Sequence, residues 1–232
     1  MDLWAAFLQM LHGAGLHVDA GTAQRVGQAA ARMDTGHLLA LAAALGWASG
    51  FRLYAVVFLT GMAGAMGLIA LPPGLHLLQH PAMLAASGAL LFVEFFADKI
   101  PGIDSVWDLA QSVIRIPAGA ALAGAVFGAD SGTMAAVAAL MGGTLAASSQ
   151  AAKTTTRAAI NTSPEPFSNL LASVAEDSAA VIALWLAATH PLLFGLLLVL
   201  TVLALAALTW LLFKFLRAAL RRLSAFFSPR TV

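Results

Sequence analysis

The sequence predicts an all-α, polytopic membrane protein. It has about six transmembrane helices in two inverted three-helix halves, some of the helices broken. Three observations carry this. The chain is 60% hydrophobic and only 10% charged, with mean hydropathy +0.87, whereas a soluble domain holds about 25% charged residues. Six apolar segments approach the ~20 residues a helix needs to cross a bilayer. Lys and Arg gather on one side of that six-span layout, as cytoplasmic loops demand.

The opening stretch, MDLWAAFLQMLHGAGLHVDA, has an acid at position 2 and no basic run before its apolar residues. It therefore does not read as a secretory signal, and the expected location is a bacterial inner membrane with the N-terminus retained. Trp4, Phe7, Leu8 and Leu11 share one helical face, so residues 1–36 read as an amphipathic surface helix or as a flexible segment. The transmembrane domain is 37–216, with halves at about 37–128 and 131–216, and 217–232 is a basic cytoplasmic tail.

The first span begins near His37 and runs to about Ala70, too long for one straight crossing. The run GWASGFR at 46–52 predicts a break, a steep tilt or a re-entrant turn in it. The second span is about 82–98 and the third about 106–128. The fourth starts near Thr133 and fades into a polar stretch at 148–162. The fifth and sixth are about 168–188 and 192–213. The connections LPPGLHLLQHP, GADSG and THP contain no Lys or Arg. Arg25, Arg32, Lys99, Lys153, Arg157 and the tail KFLRAALRRLSAFFSPR fall on the other side. Both termini are then cytoplasmic.

The two halves echo each other. LAAALGWASGFRLY and AALMGGTLAASSQAAK each turn polar at a glycine or serine cluster and then reach a cation. LLFVEFFAD and LLASVAED each place an acid within an apolar helix. An odd number of spans per half inverts the second half, and inverted repeats with broken helices are a feature of transporters.

Charges inside spans carry the candidate chemistry, because an unpaired charge at a helix centre costs about 2.5–3.5 kcal/mol on insertion scales. They are Arg52, Glu94, Asp98, Arg115, Glu176 and Asp177. Glu94 and Asp98 are four apart and share a face, so a cation, a proton or an arginine must separate them. Arg52 and Arg115 are the expected partners. Such groups form either an ion-pair network that pins helices or a relay for a proton or cation. Asp104 and Asp108, beside Lys99 in DKIPGIDSVWD, suit the start of the third span as acids near the positive end of a helix dipole. Oxygen ligation of a divalent cation is the other reading, although no metal motif is matched.

The stretch AAKTTTRAAINTSPEPFSN supplies Lys153, Thr154, Thr155, Arg157, Asn161 and Glu165. Lys153 and Arg157 lie four apart, with Ser149, Thr154 and Asn161 near that face, which suits an anionic group. The proline pair ends the helix, and Ser168 or Asn169 then caps the fifth span. The stretch reads as a basic loop near headgroups or, given its lack of large apolar residues, as a solvated groove wall at the cytoplasmic mouth. Small-residue pairs such as Gly119 and Ala123 permit close helix packing or homo-oligomer contacts. The histidines, including His76 and His80, read as interfacial. Cysteine is absent, no nucleophile or phosphate-loop motif occurs, net charge is +1, and neither cofactor nor nucleic acid is implied.

At GWASGFRLYAVVFLTGMAG, FVEFFADKIPGIDSVWD and KTTTRAAINTSPEPFSN the chain resembles a family of small bacterial membrane proteins. That family is catalogued as domain of unknown function four-one-two-six. The resemblance spans roughly 38–190 and leaves out the N-terminal segment and the tail. It implies that these polar stretches matter to the family, without naming an activity.

The expected function is a small transporter or channel for an ion or small polar solute, with the lipid bilayer as its other partner. Glu94, Asp98, Glu176 and Asp177 would act along the pathway, Arg52 and Arg115 would balance them, and the Lys153 stretch would line the inner entrance. A lipid-headgroup flippase or membrane enzyme, and a non-catalytic assembly factor docking through its tail, are the alternatives.

Overall fold

The computed structural model describes residues 33–97, 100, 103–128, 131–162 and 167–227. Every regular element among them is helical: α1 Thr35–Ala65, a 3-10 helix Pro73–Gln79, α2 Pro81–Ala97, α3 Ile103–Ala125, α4 Gly132–Ile160, α5 Phe167–Thr189 and α6 Pro191–Phe227. The surface helix expected around Trp4, Phe7, Leu8 and Leu11 lies outside the described residues.

Among the described residues four helices are long and apolar enough to cross a membrane: α1, α4, α5 and Pro191–Ala218 of α6. The 3-10 helix and α2, bent by 66°, supply a fifth if taken as one broken span. Length and composition thus support four to five crossings, against six expected. α3 has the length, but Asp104, Asp108, Gln111 and Arg115 make it too polar to be recognised by hydropathy.

Helix α1 is the hub. It contacts the 3-10 helix and all five other helices, and nearly all of its apolar stretch is buried. Its sequence is apolar all round, as a helix enclosed on every side requires. Leu45, Val56, Leu75 and Leu122 fill the core where α1 meets the 3-10 helix and α3. Trp47, Phe51, Ala183 and Phe194 fill it on the side of α5 and α6, with the Trp47 and Phe51 rings edge to face at 5.0 Å. Asp34 caps the start of α1 by accepting the His37 N–H at 2.8 Å. That bond holds its carboxyl below the ordinary value.

The expected interruption of the first span is present. Arg52 has φ −145° and ψ 70° within an otherwise helical run. Two side chains of α4 reach the α1 backbone there. Ser149 Oγ donates to the Trp47 carbonyl at 2.7 Å, and Lys153 Nζ donates to the Phe51 carbonyl at 3.2 Å. Side chains inserted into a helical ladder are a recognised cause of kinks.

Such close approach needs small residues. A methyl group on Gly46 would run into the backbone of Gly142, so only glycine lets α1 and α4 cross there. Gly119 and Ala123 serve the same purpose between α3 and α4, so this face is spent inside the chain and is not open for oligomer contacts. Helix α6 is the outlier: its exposed leucines, among them Leu192, Leu196 and Leu203, mark a lipid-facing surface, and Lys214 lies 5.0 Å over the Trp210 ring. The helix runs without interruption into the segment expected as a separate tail.

Candidate functional site

Three helices carry polar stripes that point inward. On α3, Asp108, Gln111 and Arg115 recur at spacings of three and four. On α4, Ser149, Lys153 and Arg157 recur every four residues, with Gln150 beside them. On α5, Asn169, Ser173 and Glu176 recur at spacings of four and three. All are buried. Residues three and four apart share one helix face, so the α4 stripe meets those of α3 and α5 inside the bundle, and Arg52 of α1 and Glu94 of α2 complete the set.

The contacts form one continuous chain. Arg115 pairs with Glu94, and it donates to Asp108 at 2.9 Å and to Gln150 at 2.9 Å. Lys153 bridges Asp108 at 3.0 Å and Glu176 at 3.2 Å. Arg157 reaches Glu176 at 3.3 Å and also donates to the Asn169 carbonyl at 3.0 Å. Arg52 lies 2.9 Å from Asp177 and 3.7 Å from Glu176, and donates to Ser173 Oγ at 2.6 Å. The sequence Glu94–Arg115–Asp108–Lys153–Glu176–Arg52–Asp177 thus alternates acid and base across five helices. With Arg157, four cations face four carboxylates among the described residues, so that described set is neutral when ionised. A buried charge survives only with such compensation.

The expected site residues divide three ways. Arg52, Glu94, Asp108, Arg115, Lys153, Arg157, Glu176 and Asp177 come together. Arg115 takes Glu94 as expected, whereas Arg52 turns to the second acidic pair. Asn161 ends α4 and accepts from Asn169 Nδ2 at 2.8 Å. Thr154 lies on the exposed side, touched by Gln150 Nε2 at 3.2 Å, and Thr155 donates to its own helix at Ala151. Asp104 falls in the first turn of α3. Asp98, Lys99 and Glu165 lie outside the described residues.

Three expectations are corrected. Lys153 and Arg157 are not loop cations or a solvated mouth. Each is 1% exposed and sits within α4, because its helix turns that face towards the carboxylates of α3 and α5. Asp108 is not at the helix start: it is the sixth residue of α3 and is buried between two cations. Asn169 does not cap α5 but lies inside its first turn, with its side chain holding Arg157 and Asn161. Gln111, Gln150 and Ser173 had no place in the sequence reading, although their helical spacing from charged residues signals them. Gln111 accepts from Tyr54 at 3.0 Å, and Gln150 also donates to the Asp108 carbonyl at 3.1 Å. His76, one of the histidines expected at the surface or interface, bonds the Leu71 carbonyl at 3.1 Å. Among the described residues no group of three or more His, Asp or Glu side chains is placed to hold a metal ion.

Residues 39–211, which contain the whole network, match the family described as Domain of unknown function (DUF4126). The chain belongs to that family. No curated protein and no solved structure matches it. Within this DUF4126 chain the matched region runs from the first turns of α1 to the apolar part of α6. The polar stripes that meet in the core are therefore part of the family domain and not of its flanks.

Proposed function

We propose that this DUF4126 protein is a small transporter that carries a proton or small cation by relay through its ion-pair network. The observation that carries the reading is the unbroken alternation of acids and bases from Glu94, wholly buried, to Asp177, whose side chain is 39% exposed. Three cations stand between two acids each: Arg115 between Glu94 and Asp108, Lys153 between Asp108 and Glu176, and Arg52 between Glu176 and Asp177. A proton or cation arriving at one acid displaces its basic partner towards the other acid. A neutral buried set resists a net added charge, so one charge entering requires one leaving, which gives exchange and not an open pore.

In this reading the chain crosses the membrane six times in two inverted halves, α1–α3 and α4–α6. The α3 crossing is polar because its charges face the network and not lipid. Support comes from α1 and α4, which cross glycine to glycine. Each carries a cation shortly beyond that crossing, Arg52 and Lys153. The location we propose is a bacterial inner membrane with both termini cytoplasmic. The chain has no cysteine, so single cysteines placed at 34 and in the connections at 129 and 190 report sidedness without background labelling.

The deciding experiment is flux into proteoliposomes with a pH-sensitive dye inside and different salts outside. Glu176→Gln is expected to abolish flux. Flux that persists in both Glu176→Gln and Glu94→Gln, with unchanged pH dependence, would remove the relay.

A further inference from the structure

At the Asp177 end the network opens on a cavity of about 410 Å³ between α1, α2 and α5. Its walls are Leu59, Leu91, Phe92 and Phe95, and its polar end is the Arg52–Asp177 pair. That volume lies in the range of small-molecule sites, which are mostly apolar with a few placed polar groups. Phe92 and Phe95 are 65% and 44% exposed, so the cavity mouth is on the apolar flank of the bundle.

The sign of the polar end selects the ligand. Arg52 is 1% exposed and is held by Asp177, Glu176 and Ser173 on α5, so it offers little to an incoming anion. Asp177 is the accessible charge, and Arg52 is shared between it and Glu176. Aromatic faces beside the carboxylate add attraction for a cation. We propose that this cavity binds the ammonium end of an amphiphile: the ammonium against Asp177 and the phenylalanine rings, the hydrocarbon along Leu59 and Leu91. An ammonium that takes Asp177 frees Arg52 to close on Glu176, which couples the cavity to the network. The site goes beyond the relay reading and stands without it, because binding is measured with no ion gradient.

The test uses the full chain in nanodiscs with trace spin-labelled lipids. A lipid with a primary ammonium headgroup is compared with one bearing glycerol, and hexylammonium is the soluble competitor. A charge-assisted contact predicts a preference of about tenfold for the ammonium lipid. Asp177→Asn is expected to abolish the preference and Asp177→Glu to keep it. Leu59→Trp fills the cavity from a partly exposed position and is expected to abolish binding with the charge intact, which decides the matter if Asp177→Asn fails to fold. Displacement by hexylammonium would assign the site to soluble amines, and resistance to it to membrane lipid. Equal binding of both lipids by the unaltered chain, or a preference that survives both Asp177→Asn and Leu59→Trp, would overturn the proposal.

Discussion

Lys153 and Asp108 form a wholly buried ion pair at 3.0 Å, and through it the two halves of the network touch. On one side lie Glu94 and Arg115; on the other, Glu176, Arg157, Arg52 and Asp177. Removing one partner of a buried pair leaves an uncompensated charge, which commonly costs about 3–5 kcal/mol.

Lys153→Met is therefore expected to cost about 3 kcal/mol, towards the low end because Asp108 keeps Arg115 and Glu176 keeps Arg157. Adding Asp108→Asn is expected to return part of the loss, with a coupling above ~1 kcal/mol. Unfolding curves in mixed detergent measure the cycle. Strict additivity would mean that the two side chains do not sense each other.

Arg115→Lys is expected to behave as a loss and not as a conservative change. The guanidinium serves Glu94, Asp108 and Gln150 at once, and a lysine point charge cannot reproduce that fork. The expected cost is about 2 kcal/mol from the bonds given up, read from the same unfolding curves.

Two glycine-to-alanine changes should have opposite signs. At Gly46 the new methyl group meets backbone of α4, so the helices must separate, at about 1–3 kcal/mol. At Gly195 it meets open space within a helix, and alanine should stabilise by about 0.5–1 kcal/mol. A Gly46→Ala protein as stable as the parent would contradict the tight crossing of α1 and α4.

The Asp34 cap predicts acid sensitivity at the start of α1. Its carboxyl titrates below the ordinary value of 3.8 when folded, chiefly because it accepts the His37 backbone N–H. A lowered carboxylate stabilises fully above the unfolded value and loses that contribution as pH falls through the folded one. Protection of the His37 amide from hydrogen exchange should fade in that acid window, and in Asp34→Ala it should be low at every pH.

Much of this was legible along the chain. The second and fifth spans agree with α2 and α5 to within a residue or two, and GWASGFR marked the break at Arg52. The scarcity of charge placed the chain in a membrane and singled out Glu94, Arg115 and Glu176 as residues needing partners. These features rest on local properties: hydropathy, helix-breaking residues and the cost of burying charge. Lys153 and Arg157 were misread for the same reason. Locally they resemble a basic loop, and only their spacing relative to Ser149 and Gln150 hints at an inward stripe.

What the sequence by itself determined, then, is the helical membrane class, most helix limits and the set of charges that must be compensated. The tertiary structure alone decided which acid meets which base. Arg52 finds its Ser173 partner 121 positions along the chain, and Lys153 finds Asp108 on a different helix. Periodicity specifies the face a side chain occupies, but not what that face will meet. The meeting depends on where α1 and α4 cross, and that is set by the few glycines whose missing methyl groups let the two backbones touch.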